Sequence, residues 1–237
     1  MHADQMRAVA FLGEAQVRKP ITGVILNFHG LGDPGLRSFL NYDESEWAAA
    51  GGLVVMPYAG PWSWMNRQAR SMVDGLVDAI YENFGLAESV PLLLTGGSMG
   101  GFCSLLYARY TRHTFTRCAA IFPCTDLKYH FSERPDLPRT IHHAFAGYPE
   151  PFEDLLVEHS PVMQAAHMPR VPYFILHGDA DKAVNKAVHS DRMVAELRKA
   201  GHDVTYVEVP GMGHHEPTQF SAWRAKIEFI KAGLNRA

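Results

Sequence analysis

The sequence is poor in cysteine, in charge of one sign and in long apolar runs, and each shortage removes a class of protein. Three cysteines, Cys103, Cys118 and Cys124, are too few and wrongly spaced for a disulfide framework or a tetrahedral zinc site, so a reducing, cytoplasmic setting is expected. The 22 Lys and Arg against 25 Asp and Glu leave a formal net charge of -3, without the basic excess that nucleic acid or another polyanion would attract. No stretch approaches the roughly 20 uninterrupted apolar residues of a membrane span. The opening Met1-His2-Ala3-Asp4-Gln5-Met6-Arg7 has no apolar run between a basic flank and a small-residue cleavage site, so no export signal is expected. Internal repeats and low-complexity linkers are also missing, and the glycine cluster Gly96 to Gly101 has neither a Walker lysine nor G-x-G-x-x-G spacing.

What remains is an ordinary globular composition over 237 residues, enough for one domain with a sizeable core, and residues 1–237 are read as that domain. Short apolar runs bounded by breakers predict six strands, at Ile21 to Phe28, Leu53 to Met56, Pro91 to Thr95, Cys118 to Phe122, Pro172 to Leu176 and Val204 to Val209. Helical spacing over Arg70 to Asn83, Met99 to Tyr110, Val188 to Ala200 and about Gln219 to Ala232 supplies covering layers. This alternation predicts an α/β fold whose mostly parallel sheet has helices on both faces. Residues before Pro20 could add one or two antiparallel edge strands. Residues 125–170, rich in Pro, His and aromatics, show one convincing helical stretch at Pro151 to His159 and read equally as a small cap or as an ordinary crossover.

Gly96-Gly97-Ser98-Met99-Gly100 carries the G-x-S-x-G pattern directly after a strand and before a helix, the context that marks a nucleophile elbow. Such a turn strains the serine backbone and lifts its hydroxyl above the sheet, and glycines two before and two after it remove collisions with strand and helix. The amide of Met99, at a helix N-terminus, is a candidate oxyanion donor. The motif resembles the elbow of the α/β-hydrolase superfamily. Gly96-Gly97-Ser98-Met99-Gly100-Gly101, His159-Ser160-Pro161 and the run Val171 to Asp181 resemble the prolyl-oligopeptidase-like and dienelactone-hydrolase-like branches. Asn27-Phe28-His29-Gly30-Leu31-Gly32-Asp33 is similar instead to the carboxylesterase and acyl-protein thioesterase branch.

A serine hydroxyl needs an imidazole to take its proton and a carboxylate to orient that imidazole. The resemblance implies Asp181 for the acid, since His177-Gly178-Asp179-Ala180-Asp181-Lys182-Ala183-Val184 matches the superfamily's H-G-x-x-D-x-x-V loop. Asp179 competes for that role, with turn capping as its alternative. The Asp-x-Asp spacing lacks the glycine and terminal glutamate of a calcium loop. Gly211-Met212-Gly213-His214-His215 resembles the G-x-G-H loop and implies His214 as the base, with His215 as its rival. The other eleven histidines show no metal-ligand spacing such as H-E-x-x-H and are expected mostly at the surface or in the cap.

Esterase-like His29-Gly30 makes the Leu31 amide the expected second oxyanion donor, with Gly30 as an alternative. Losing one such donor costs about 2.7–4 kcal/mol of transition-state stabilisation. His29, Gly30, Trp62, Trp64 and Asn66 are candidates for a substrate pocket at the sheet edge, where open α/β folds bind ligands; core packing is the alternative for the two tryptophans. Cys103, on the helix after the elbow, reads as a small buried hydrophobe. The expected function is a serine carboxylesterase acting on small or aromatic esters, with no metal or organic cofactor. A thioesterase or lysophospholipase-like activity is the alternative, followed by a peptidase and by a catalytically silent binding protein.

Overall fold

The computed structural model describes residues 1–214 and 220–234. Strands β1 (Ala10–Leu12), β2 (Gly23–Phe28), β3 (Gly52–Pro57), β4 (Leu92–Gly97), β5 (Arg117–Ile121), β6 (Tyr173–Gly178) and β7 (Val204–Val209) form one sheet in the order β1-β3-β2-β4-β5-β6-β7. Every neighbouring pair is parallel except β1 with β3, where Ala10 lies opposite Pro57. This is the α/β-hydrolase architecture, and all six expected strands are present within a residue or two.

The strands read as continuous apolar runs because both faces are covered. On β2, Val24, Leu26 and Phe28 point into one core together with Leu53, Val73, Leu94 and Phe102. Ile25 points the other way, among Trp47, Val54, Leu93 and Ile227. Helices α3 (Arg67–Asn83) and α4 (Met99–Tyr110) cover the first face, whereas α2 (Tyr42–Ala49) and α10 (Phe220–Lys231) cover the second. The α10–α2 contact is fixed by Lys226, whose Nζ lies 2.8 Å from Asp43 Oδ2 and over the rings of Trp47 and Trp223.

Four differences from the sequence reading have local causes. Ahead of Pro20 there is one edge strand, and the residues before it form helix α1 (Ala3–Val9). Helix α2 was not anticipated because its inward face includes Asp43 and Glu44, which disguise the apolar stripe; its start is fixed by a capping box between Asn41 and Glu44. Between β5 and β6 there are four helices rather than one: α5 (Leu127–Glu133), α6 (Leu137–Ala144), α7 (Phe152–Glu158) and α8 (Pro161–Gln164). None exceeds eight residues, too short for helical periodicity to emerge, yet Leu127, Leu137, Ile141, Leu155 and Leu156 join the same core as the sheet. Finally, the helix expected from Val188 opens as a π-helical turn, Ala187–Asp191, before α9 (Arg192–Lys199). Among the described residues, no helix is long and apolar enough to cross a membrane.

Candidate active site

The carboxyl ends of β4, β6 and β7 bring three loops together. At the end of β4, Ser98 adopts φ 57° and ψ -124°, a left-handed conformation that costs a non-glycine residue on the order of 1–3 kcal/mol. The strain is held by the Ser98 N–H donating to Ile121 O at 2.9 Å and by Ser98 O accepting from the Phe102 N–H at 3.0 Å. The flanking glycines are required by contact: a Cβ on Gly96 would lie 2.4 Å from the carbonyl of Gly100, and one on Gly100 would lie 2.0 Å from Phe28 O. Helix α4 thereby abuts the end of β2. Met99 is the first residue of α4, where an amide has no intrahelical acceptor.

Ser98 Oγ lies 2.9 Å from His214 Nε2, and His214 Nδ1 lies 2.7 Å from Asp181 Oδ2. Burial opposes the charge on Asp181, but hydrogen bonds from His177 and His214 and from the Val184 amide hold its carboxyl well below the usual range. An ionised carboxylate only accepts, so His214 Nδ1 carries the ring proton and Nε2 accepts the hydroxyl proton of Ser98. Asp181 Oδ1 accepts from the N–H groups of Ala183 at 2.8 Å and Val184 at 3.0 Å. Asp179 takes the other role considered for it: Oδ1 accepts from the Gly211 N–H at 2.6 Å, tying the acid loop to the histidine loop. A Cβ on Gly178 would lie 2.0 Å from Met212 O, so those two loops meet at backbone distance. The ring of Phe122, another left-handed residue at φ 37°, packs 4.6 Å from that of His214. His215 lies outside the described residues.

The other candidates are distributed unevenly. His29, Gly30 and Leu31 follow β2 beside the elbow and are half-buried; His29 Nδ1–H donates to Gly30 O at 2.8 Å, and burial pushes its pKa down. A Cβ on Gly30 would meet nothing within 4 Å, so this residue borders open space. The Gly32 N–H is already taken by Pro61 O at 2.8 Å. Trp62 is half-buried, donates through Nε1 to His143 Nδ1 at 3.2 Å and has the Arg139 guanidinium over its ring. Trp64 is a correction: at 0% exposure it is a core residue, packed on Phe102 and His130, with its Nε1–H donated to Thr140 Oγ1. Asn66 caps α3 by accepting from the Ala69 N–H and donates to Ala144 O, which ties α3 to α6. Burial pushes the Cys103 thiol up to about 12.

Sequence reasoning missed two sets of residues. His177, His189 and His202 belong neither to the surface nor to the helices of residues 125–170; all are buried. Among the described residues, His130, Glu133 and His189 converge with their ligand atoms within 4.8 Å, the spacing of a metal centre. Their hydrogen bonds oppose that role. His189 Nδ1 accepts from the Thr125 N–H at 2.9 Å and the Asp126 N–H at 3.2 Å, so Nε2 carries the ring proton and has no lone pair to offer. That Nε2 and His130 Nδ1 donate to one oxygen of Glu133, at 3.0 and 2.6 Å. Glu133 Oε1 accepts from the Asn185 N–H at 2.6 Å, so the cluster is a strut from α5 to the acid loop. His130 and Glu133 share α5 three residues apart, but His189 comes from the distant π-helical turn, so no sequence spacing signals the full set.

Solved structures match the fold at low identity. A puromycin-hydrolyzing peptidase of Mycobacterium tuberculosis superposes with a TM-score of 0.73 and 20% identity, over 90% of this chain and 34% of that one. For the acylaminoacyl peptidase of Pyrococcus horikoshii the values are 0.75 and 12%, over 93% and 38%. For esterase B of Lactobacillus rhamnosis they are 0.67 and 14%, over 91% and 76%. The chain thus spans little more than a third of the two peptidases and about three quarters of the esterase. No curated protein sequence matches it. The profile described as the prolyl oligopeptidase family matches residues 68–236, which include the elbow and the loops after β6 and β7, and the chain belongs to that family of α/β-hydrolase-fold serine hydrolases.

Proposed function

We propose that this serine hydrolase cleaves esters of small or aromatic carboxylic acids through an acyl-enzyme on Ser98, with His214 as base and Asp181 as its orienting acid. The observation that carries the reading is the unbroken line from Ser98 Oγ through His214 to the enclosed carboxylate of Asp181. As Oγ attacks the ester carbonyl, its proton passes to His214 Nε2 and the carbonyl electrons move onto oxygen. The Met99 and Leu31 amides stabilise that oxyanion, Gly30 being the alternative second donor. Collapse expels the alkoxide, which takes the proton from His214. Water, deprotonated by His214, then attacks the acyl-enzyme, and Ser98 Oγ leaves as the hydroxyl. No step calls for a metal or an organic cofactor. His29, Gly30 and Trp62 border the acyl side, and helices α5–α8 act as a small cap within a single domain. Three buried free cysteines suit a reducing, cytoplasmic setting.

The ester reading draws on the Asn27 to Asp33 loop, which resembles that of carboxylesterases, and on the likeness to esterase B. The second reading, a peptidase, draws on the peptidase neighbours and the family. Steady-state hydrolysis of p-nitrophenyl esters of increasing acyl length, beside aminoacyl p-nitroanilides, separates them. The ester reading expects a short-acyl optimum, with anilides cleaved no faster than by Ser98→Ala. Ser98-dependent cleavage of anilides with the higher kcat/KM would establish the peptidase instead.

A further inference from the structure

Strand β6 runs Tyr173-Phe174-Ile175-Leu176 and then places an imidazole, His177, at 0% exposure. A buried polar ring is costly unless each nitrogen is satisfied, and here both are. Nε2 lies 3.2 Å from Asp181 Oδ2 and 3.3 Å from Val184 O; both are acceptors, so Nε2 carries the ring proton and donates. Nδ1 lies 2.6 Å from Ser190 Oγ in the π-helical turn, and in the neutral ring it accepts the serine hydroxyl. The Asp181 oxygen that receives His214 Nδ1–H therefore also receives His177 Nε2–H, while the other oxygen is held by two backbone amides. The Asp181 side chain has no exposed surface, so water does not compete for these positions.

We propose that His177 is a positioning residue of the hydrolytic site. It fixes Asp181 Oδ2 toward His214 and draws off part of the carboxylate charge, and Ser190 holds His177 in the tautomer that does so. The inference rests on the Ser98–His214–Asp181 reading. Titratable groups face this pair from three elements. Asp191, beyond Ser190 on the π-helical turn, is held by Lys186 and Tyr206; Glu208, opposite His177 in the β6–β7 register, is held by Lys186; and His214 approaches from the far side of Asp181. Without the His177 donor, the full carboxylate charge acts on His214, which then keeps its proton to higher pH.

The test is the second-order rate of inactivation by a small fluorophosphonate between pH 5 and 9, with the whole chain and the variants His177→Met, His177→Gln and Ser190→Ala. Methionine keeps volume without a donor, whereas glutamine places an N–H close to the position of Nε2. The expected result for His177→Met is a rate lower by about tenfold or more at neutral pH, the worth of one hydrogen bond to a charged group, with the profile midpoint displaced to higher pH. His177→Gln should restore the midpoint, and Ser190→Ala should move it in the same direction as methionine by less. If His177→Met does not fold, the Ser190→Ala midpoint decides. A wild-type midpoint in the folded donor-less variants, whatever their amplitude, would overturn the proposal and leave His177 a core residue. Wild-type protein that does not react at Ser98 would remove the triad reading itself and this inference with it.

Discussion

Asp181 receives two imidazole N–H groups on one oxygen and two backbone N–H groups on the other, which leaves it no freedom to serve any geometry but one. Asp181→Asn keeps the shape but offers an amide N–H where an acceptor is needed, and a triad so altered loses on the order of 10⁴-fold in turnover. The expected outcome is that loss in kcat at neutral pH, with the circular dichroism spectrum retained. The two tryptophans should separate equally clearly. Trp64→Phe deletes a buried Nε1–H donor to Thr140 and should lower the melting temperature without changing acyl preference, whereas Trp62→Ala should change KM across the ester series with little effect on melting. That Ser98, His214 and Asp181 would meet was legible in the sequence because each lies in a local motif. The division between Trp62 and Trp64 was not, since one backbone turn, with Trp64 at φ 45°, decides which indole faces inward.

Elements are held in register by contacts that leave no room for a methyl group. Gly100→Ala would place Cβ 2.0 Å from Phe28 O, forcing α4 away from β2; overpacking of this kind costs about 1–3 kcal/mol. Chemical denaturation should show that loss, and activity should fall with it because β2 leads into the Gly30–Leu31 loop. Helices α7 and α3 are joined by His159, fully buried, whose Nδ1–H donates to Leu155 O and whose Nε2 accepts from Arg70. Burial, and then the Arg70 charge, push its pKa from 6.5 down to about 4. The unfolded chain therefore binds a proton that the folded chain refuses between those values, so stability is present above pH 6.5 and is lost as pH falls toward 4. Urea midpoints against pH should slope in that window for the native chain and less for His159→Gln. The strands and long helices were readable from their apolar runs. The short helices between β5 and β6 were not, because each buries only a few side chains and is placed by the core it joins.

At the scale of the molecule, a sheet covered on both faces leaves its carboxyl edge as the place where loops can meet, and the elbow, the acid loop and the histidine loop converge there. The sheet order was not legible from the sequence, since pairing depends on which faces pack rather than on any local signal; the alternation of strand and helix was enough to give the class. The central claim is that this convergence activates Ser98. Intact-mass analysis after fluorophosphonate treatment, with peptide mapping, tests it most directly. The account predicts one stoichiometric adduct on Ser98 in the native chain, and none in Ser98→Ala or in acid-unfolded protein. An unmodified native protein, or an adduct that persists in Ser98→Ala, would contradict it.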